Sequence, residues 1–187
     1  MLPKLSDRFY TLAKGRLILA VFAAFALFMG STLPLLSHRF PEEMSLKSLD
    51  DPAFYTPGEI FSIIDSWGAQ GRTFQLWLHL TWDVVVPVLG FLTFALCLSW
   101  LWMRSVQPGS RLRKLNLLAL ASGFDLLENF SQAVLIVAYP SRPAWLAWLK
   151  TIFTLGKYGF GLVIILLLLI GLVMAARNGF RVQSSDR

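Results

Sequence analysis

The sequence predicts an all-α polytopic membrane protein: a four-helix transmembrane bundle with a short interfacial helix in its first outer loop. Three observations carry that prediction. Of 187 residues, 56% are hydrophobic and only 15% charged, whereas soluble domains carry about 25% charged residues. The apolar residues come in runs of about 20, the length a helix needs to cross roughly 30 Å of hydrocarbon. The basic residues flank those runs instead of forming a stripe. Four spans use up most of the chain, so residues 1–187 read as a single transmembrane domain.

The first span is expected at about 17–36, a stretch with no charged residue that follows Lys14 and Arg16. A cleaved signal peptide has a shorter apolar core and a small-residue cleavage site. Here the run continues through Leu33-Pro34-Leu35-Leu36 with no such site after it, so a retained helix is expected. Residues 38–75 then form the longest polar segment, broken by Pro41, Pro52 and Pro57. This segment holds most of the acids: Glu42, Glu43, Asp50, Asp51, Glu59 and Asp65. Within it, Thr56-Pro57-Gly58-Glu59 has the form of a capping box with proline at the first helical position. Ile60, Phe61, Ile64 and Trp67 follow on one helical face. A surface helix over about 57–67 is predicted, ended by Gly68 and Gly71. It lies either in the membrane interface or on the tops of the spans.

The second span is expected at about 76–103, with Asp83 at its outer end and Pro87 one turn inside, where membrane helices tolerate proline. The third, about 115–139, contains Asp125, Glu128 and Asn129. A tight turn at Pro140-Ser141-Arg142-Pro143 leads to the fourth, about 148–176. Trp145 and Trp148 fall in its interfacial first turns, where Trp is enriched.

Orientation follows from Lys and Arg in the loops. The N-terminal segment (Lys4, Arg8, Lys14, Arg16), the central loop (Arg104, Arg111, Arg113, Lys114) and the tail (Arg177, Arg181, Arg187) hold eleven basic residues. The opposite side holds four: Arg39, Lys47, Arg72 and Arg142. Both termini and the central loop are therefore expected in the cytoplasm. The net charge of +6 is accounted for in this way, and no nucleic-acid partner is implied. Cys97 is the only cysteine, so one chain can form no disulfide or thiol pair.

Ionisable residues inside spans cost about 2.5–3.5 kcal/mol at the centre on insertion scales and normally face the bundle interior. Asp125, Glu128 and Asn129 share one helix face at i, i+3, i+4. Counting at ~1.5 Å per residue collects His79, Asp83, Glu128, Asn129 and Lys157 in the outer half, with Asp125 deeper. Arg72 is placed to close the top, and Lys150 lies on the face of Lys157, nearer the interface. Two readings stay open. In one, Lys157 neutralises Glu128 or Asp125, Lys150 or Arg72 does so for Asp83, and the pairs fix helix register. In the other, Asp83, Asp125, Glu128, Asn129, Lys157, His79 and Arg72 line a polar pocket for a ligand head group, a cation or a proton. With His38 and His79 the only histidines, a metal site would rest on carboxylates, and none is expected. No Ser-His-Asp order, phosphate loop or Walker sequence occurs, so no cofactor is expected and the balance is against an enzyme. Gly156, Gly159 and Gly161 are read as sites of close helix approach.

Through Gly71-Arg72, Asp83-x-x-x-Pro87 and Asp125-x-x-Glu128-Asn129, the chain resembles small bacterial four-span membrane proteins of unknown function. That resemblance implies a multi-pass protein of the bacterial inner (cytoplasmic) membrane. A fainter likeness is to the EXPERA fold, the sterol-isomerase-like and sigma-2-receptor-like proteins. These share a long first outer loop, an acid followed by a proline in the second helix, and a cavity lined by acids. The likeness implies that Asp83 and Glu128 bind a ligand amine or donate a proton; Lys157, which would compete for those acids, departs from it. The function expected is binding of a small lipophilic or amphiphilic molecule at the charged cluster. The alternative is a non-catalytic accessory or assembly subunit, partnered by another membrane protein or a second copy of itself.

Overall fold

The computed structural model describes residues 2–50 and 54–185, with side chains through residue 177. Asp51, Pro52, Arg187 and the side chain of Arg181 from the sequence reading lie outside that description. Every regular element among the described residues is helical. In chain order these are α1 (Leu2–Leu12), α2 (Gly15–Arg39), the single turn α3 (Pro41–Met44), α4 (Pro57–Ser66), α5 (Gly68–Leu80) and α6 (Trp82–Ser105). A 3-10 stretch (Arg111–Ser122), α7 (Gly123–Val137) and α8 (Ala144–Ser185) complete the order.

Three helical stretches are long and apolar enough to cross a membrane: Gly15–Arg39, Gly68–Ser105 and Ala144–Arg177. The stretch expected as the third span differs. Its first part is wound as 3-10 helix and only the 15 residues of α7 are α-helical. At ~1.5 Å per residue α7 alone rises about 22 Å, short of the hydrocarbon thickness. Asn116, Ser122 and Gly123, poor helix formers, occupy the 3-10 region and its junction with α7.

The second expected span also begins earlier than periodicity suggested. Its helix starts at Gly68, breaks at Thr81 (φ −122°, ψ −79°) and resumes at Trp82. Gly68 adopts φ +63°, a conformation that glycine reaches without the Cβ penalty, and this separates α4 from α5. Gly71 does not end a helix as expected. It lies inside α5, where an added Cβ would come within 2.6 Å of Leu46 Cδ1, so the absent side chain lets the outer loop pack there.

The capping box forms as predicted. Glu59 Oε2 accepts from Thr56 N at 2.8 Å and Thr56 Oγ1 accepts from Glu59 N at 3.4 Å. Those bonds, the Thr56 backbone donor foremost, hold the exposed Glu59 carboxyl below its usual range. Ile60, Phe61, Ile63 and Ile64 of α4 are buried in one cluster with Leu135 and Ile136 of α7 and Leu146 and Ala147 of α8. The helix thus packs on other helices, the second of its two expected placements.

The contacts divide the chain into two compact units. Unit 1 comprises Met1–Phe25, Leu89–Leu120 and Phe160–Arg187; unit 2 comprises Ala26–Val88 and Ala121–Gly159. In unit 1 the amphipathic α1, which the sequence reading did not propose, buries Phe9 with Ala95, Leu96 and Ala119. Leu98, Trp102 and Ile164 form a second apolar cluster. Its polar centre is the fully buried Asn116, which accepts from Ser6 Oγ at 2.7 Å and donates to Ser99 Oγ at 2.9 Å. In unit 2, α5 packs along α7, and Trp67 Nε1 ties the outer loop down by donating to Lys47 O at 2.8 Å.

Candidate functional site

Unit 2 holds the charged cluster. Glu128, fully buried at 0% exposure, lies 3.1 Å from Lys150 Nζ through Oε1 and 3.0 Å from Lys157 Nζ through Oε2. The Oε2 contact is an ion pair without hydrogen-bond alignment. Lys157 also meets Asp125 at 2.8 Å, so one ammonium bridges the two acids of α7. Thr154 Oγ1 donates to Glu128 Oε1 at 2.7 Å. Lys150, only 1% exposed, further donates to the Leu49 carbonyl. Charges this deeply buried are tolerated only when paired and hydrogen-bonded, and here each is. Gly156 admits the closeness: a Cβ there would lie 2.6 Å from the Phe124 ring.

A second group surrounds Asp50. Gln132 Nε2 donates to Asp50 Oδ1 at 2.6 Å, and Tyr158 Oη donates to the Asp50 carbonyl at 2.6 Å. Burial pushes the Asp50 carboxyl up, but His79, Lys157, the Gln132 hydrogen bond and Lys150 together outweigh it and hold the group below the usual carboxylate range. His79, 1% exposed, places Nδ1 2.8 Å from Asp83 Oδ2. Its Nε2 is buried and has no hydrogen-bond partner among the described residues; the same holds for Gln132 Oε1.

Asn129 serves the backbone. Pro87 lacks an N–H and so deprives the Asp83 carbonyl, four residues earlier, of its helical donor. Asn129 Nδ2 supplies the bond instead at 2.9 Å. The proline and the asparagine, noticed separately in the sequence, are one device.

Of the seven candidate residues, the structure joins Asp125, Glu128 and Lys157 in one network and His79, Asp83 and Asn129 in another. Arg72 stands apart, its guanidinium 3.9 Å from the Tyr139 ring centroid. The partner of Asp83 is His79, and Lys150 goes to Glu128. The sequence reading left Asp50, Gln132, Thr154 and Tyr158 out of the site. Gln132 follows Glu128 at i+4, and that spacing could have flagged it. Nothing in the sequence signals that Asp50 folds back onto α7 and α8.

Two concavities have a bearing on ligand binding. In unit 2 a cavity of about 90 Å³ has Asp83 among its lining residues, which are otherwise mainly apolar, Phe28, Met29, Leu33, Leu36, Leu78 and Trp82 among them. Asp83 is 28% exposed, the most of the cluster's acids. In unit 1 a cleft of about 470 Å³, among α2, α6 and α8, is lined almost wholly by apolar side chains. Comparison with protein-family models, curated proteins and solved structures finds no match to the chain.

Proposed function

We propose that this chain is a multi-pass protein of a bacterial inner membrane that binds a small amphiphilic molecule in unit 2, with Asp83 as the anchor of its head group. Asp125 and Glu128 are occupied by Lys157 and Lys150. The observation that carries the reading is Asp83 itself: one partly exposed carboxylate in an apolar cavity wall. An apolar pocket with a few convergent polar groups is the usual form of a small-molecule site, and a carboxylate with no ammonium within ion-pair distance selects a cationic head. An alkylamine enters with its ammonium on Asp83 and its chain among the apolar residues and lipid tails.

Four spans with both termini in the cytoplasm suit this reading. Arg111–Val137 is helical throughout, which supports a fourth crossing in addition to the three long apolar helices. The basic N-terminal segment, central loop and tail belong to unit 1, and the acid-rich loop to unit 2. Cytoplasmic loops are the Lys/Arg-rich ones.

The test is photo-crosslinking with an alkylamine probe in lipid nanodiscs, with adducts mapped by mass spectrometry. Labelling is expected on Leu78 or Trp82. Dodecylamine should compete and dodecanol should not, and Asp83→Asn should weaken competition about tenfold, the worth of one charge-assisted hydrogen bond. Labelling spread evenly along the lipid-facing residues of α8, or indifferent to Asp83→Asn, rejects the site.

A second reading, an accessory or self-assembling subunit, draws on Gly159 and Gly161. A Cβ at either meets nothing within 4 Å, so this backbone is open to another helix. Cross-linking in native membranes that traps one defined partner or a dimer supports it; a strictly monomeric protein counts against it.

A further inference from the structure

Unit 2's polar groups do not balance. Asp50, Asp83, Asp125 and Glu128 bring four carboxylates, while Lys150 and Lys157 bring two ammonium groups. Among the described residues, the acids of this group without an ammonium within ion-pair distance are Asp50 and Asp83. Uncompensated charge in a low-dielectric interior is costly and is normally met by a counter-charge.

The same place holds an imidazole. Ligand-forming atoms of Asp50, His79 and Asp83 all lie within 4.8 Å of one another. His79 is almost completely buried, and its Nε2 has no partner among the described residues. Its Nδ1 lies 2.8 Å from Asp83 Oδ2, so a cation ligated by both would take Nδ1 in place of the proton they share, with Asp50 as the third ligand. Gln132, with one bond fixing Asp50 and its Oε1 unpartnered, stands next to the group.

We infer that Asp50, His79 and Asp83 form a binding site for one divalent transition-metal cation, with Zn²⁺ the best fit. The site offers two carboxylates and one imidazole, ligands that Zn²⁺ accepts with little demand on geometry. The cation's positive charge meets the two carboxylates that lack an ammonium. Zn–ligand bonds of ~2.0–2.2 Å set tetrahedral ligand atoms about 3.4 Å apart, so the three side chains close by roughly an ångström on binding. With only three protein ligands, water or Gln132 Oε1 takes the fourth position. The sequence argues against a metal because its two histidines would leave a site resting on carboxylates, and the approach of Asp50 to His79 and Asp83 is not visible in it.

The reading does not depend on amphiphile binding. Both occupants draw on Asp83, so Zn²⁺ is expected to weaken alkylamine binding, but a failed amine experiment leaves the metal result untouched. The test uses the full chain, stripped with EDTA in nanodiscs, with Zn²⁺ titrated by equilibrium dialysis and calorimetry at neutral pH. One saturable Zn²⁺ per chain is expected, with Asp50→Asn and His79→Gln each at least tenfold weaker and His38→Ala unchanged. Asp50→Asn keeps an acceptor for Gln132 and so separates loss of a ligand from loss of fold. Substituted Co²⁺ should give the intense visible absorption of a four-coordinate site in the unaltered chain, independent of any variant. Absence of saturable Zn²⁺ binding, affinity unmoved by Asp50→Asn, or loss of binding in His38→Ala overturns the assignment.

Discussion

The two units of the molecule draw on the same three long helices, α2, α6 and α8, yet hold themselves together by different chemistry. Unit 1 packs aliphatic and aromatic side chains, with one neutral hydrogen-bond centre at Asn116. Its cations are met by carbonyls and rings: Arg113 donates to Val106 O at 3.0 Å, and Arg104 lies 3.8 Å from the Trp100 centroid. Unit 2 gathers four acids and two lysines, of which Glu128 and Lys150 are fully buried. Since lipid tails solvate apolar side chains as well as a core does, helix association in a bilayer rests on packing and polar bonds. Unit 1 depends on the first and unit 2 on the second, so they should fail under different perturbations.

The largest expected effect is Glu128→Ala, which strands the buried ammonium of Lys150 and takes one of the two acids from Lys157. Removing one partner of a buried pair costs about 3–5 kcal/mol, to be measured as the shift in SDS-induced unfolding followed by circular dichroism. Glu128→Met combined with Lys150→Met should regain most of that loss, because Lys157 keeps Asp125. If the double variant is no better than the single, the pair is not a unit. Next in size is Gly156→Ala, whose Cβ would crowd the Phe124 ring at 2.6 Å. Overpacking of this kind costs about 1–3 kcal/mol, while Gly159→Ala, with open space around it, should be neutral in the same assay.

In unit 1, Asn116→Leu should cost about 1 kcal/mol, the ordinary worth of a neutral buried hydrogen bond. An effect as large as that of Glu128→Ala would erase the contrast between the units. The smallest effect expected is that of pH. The folded-state Asp50 carboxyl is held low, so its stabilisation is complete above the unfolded value of about 3.9. It is lost as pH falls through the folded value. Unfolding midpoints compared at neutral and strongly acidic pH should fall less in Asp50→Asn than in the unaltered chain.

Much of the helical plan was legible because apolar runs, capping residues and basic flanks are local signals. Thr56-Pro57-Gly58-Glu59 gave its capping box, and the i, i+3, i+4 spacing put Asp125, Glu128 and Asn129 on one face. Pairing was only half legible. The pairing reading matches Lys157 to the correct acids but offers Lys150 or Arg72 to Asp83, since helical counting fixes depth along an axis and says nothing of which helix faces which. Asp50 was missed for a similar reason: a loop's return path depends on contacts such as Trp67 to Lys47 that have no periodicity. The 3-10 winding before α7 escaped because composition alone gave that stretch the same reading as its apolar neighbours.

The account as a whole separates Asp125 and Glu128, closed off by lysines, from Asp83, left open to a ligand. Carboxyl labelling with a water-soluble carbodiimide and an amine nucleophile in nanodiscs, read by mass spectrometry, tests that separation most directly. Asp83 should be modified, and protected by dodecylamine, while Glu128 stays unmodified. Modification of Glu128 at a rate equal to or above that of Asp83 would contradict it.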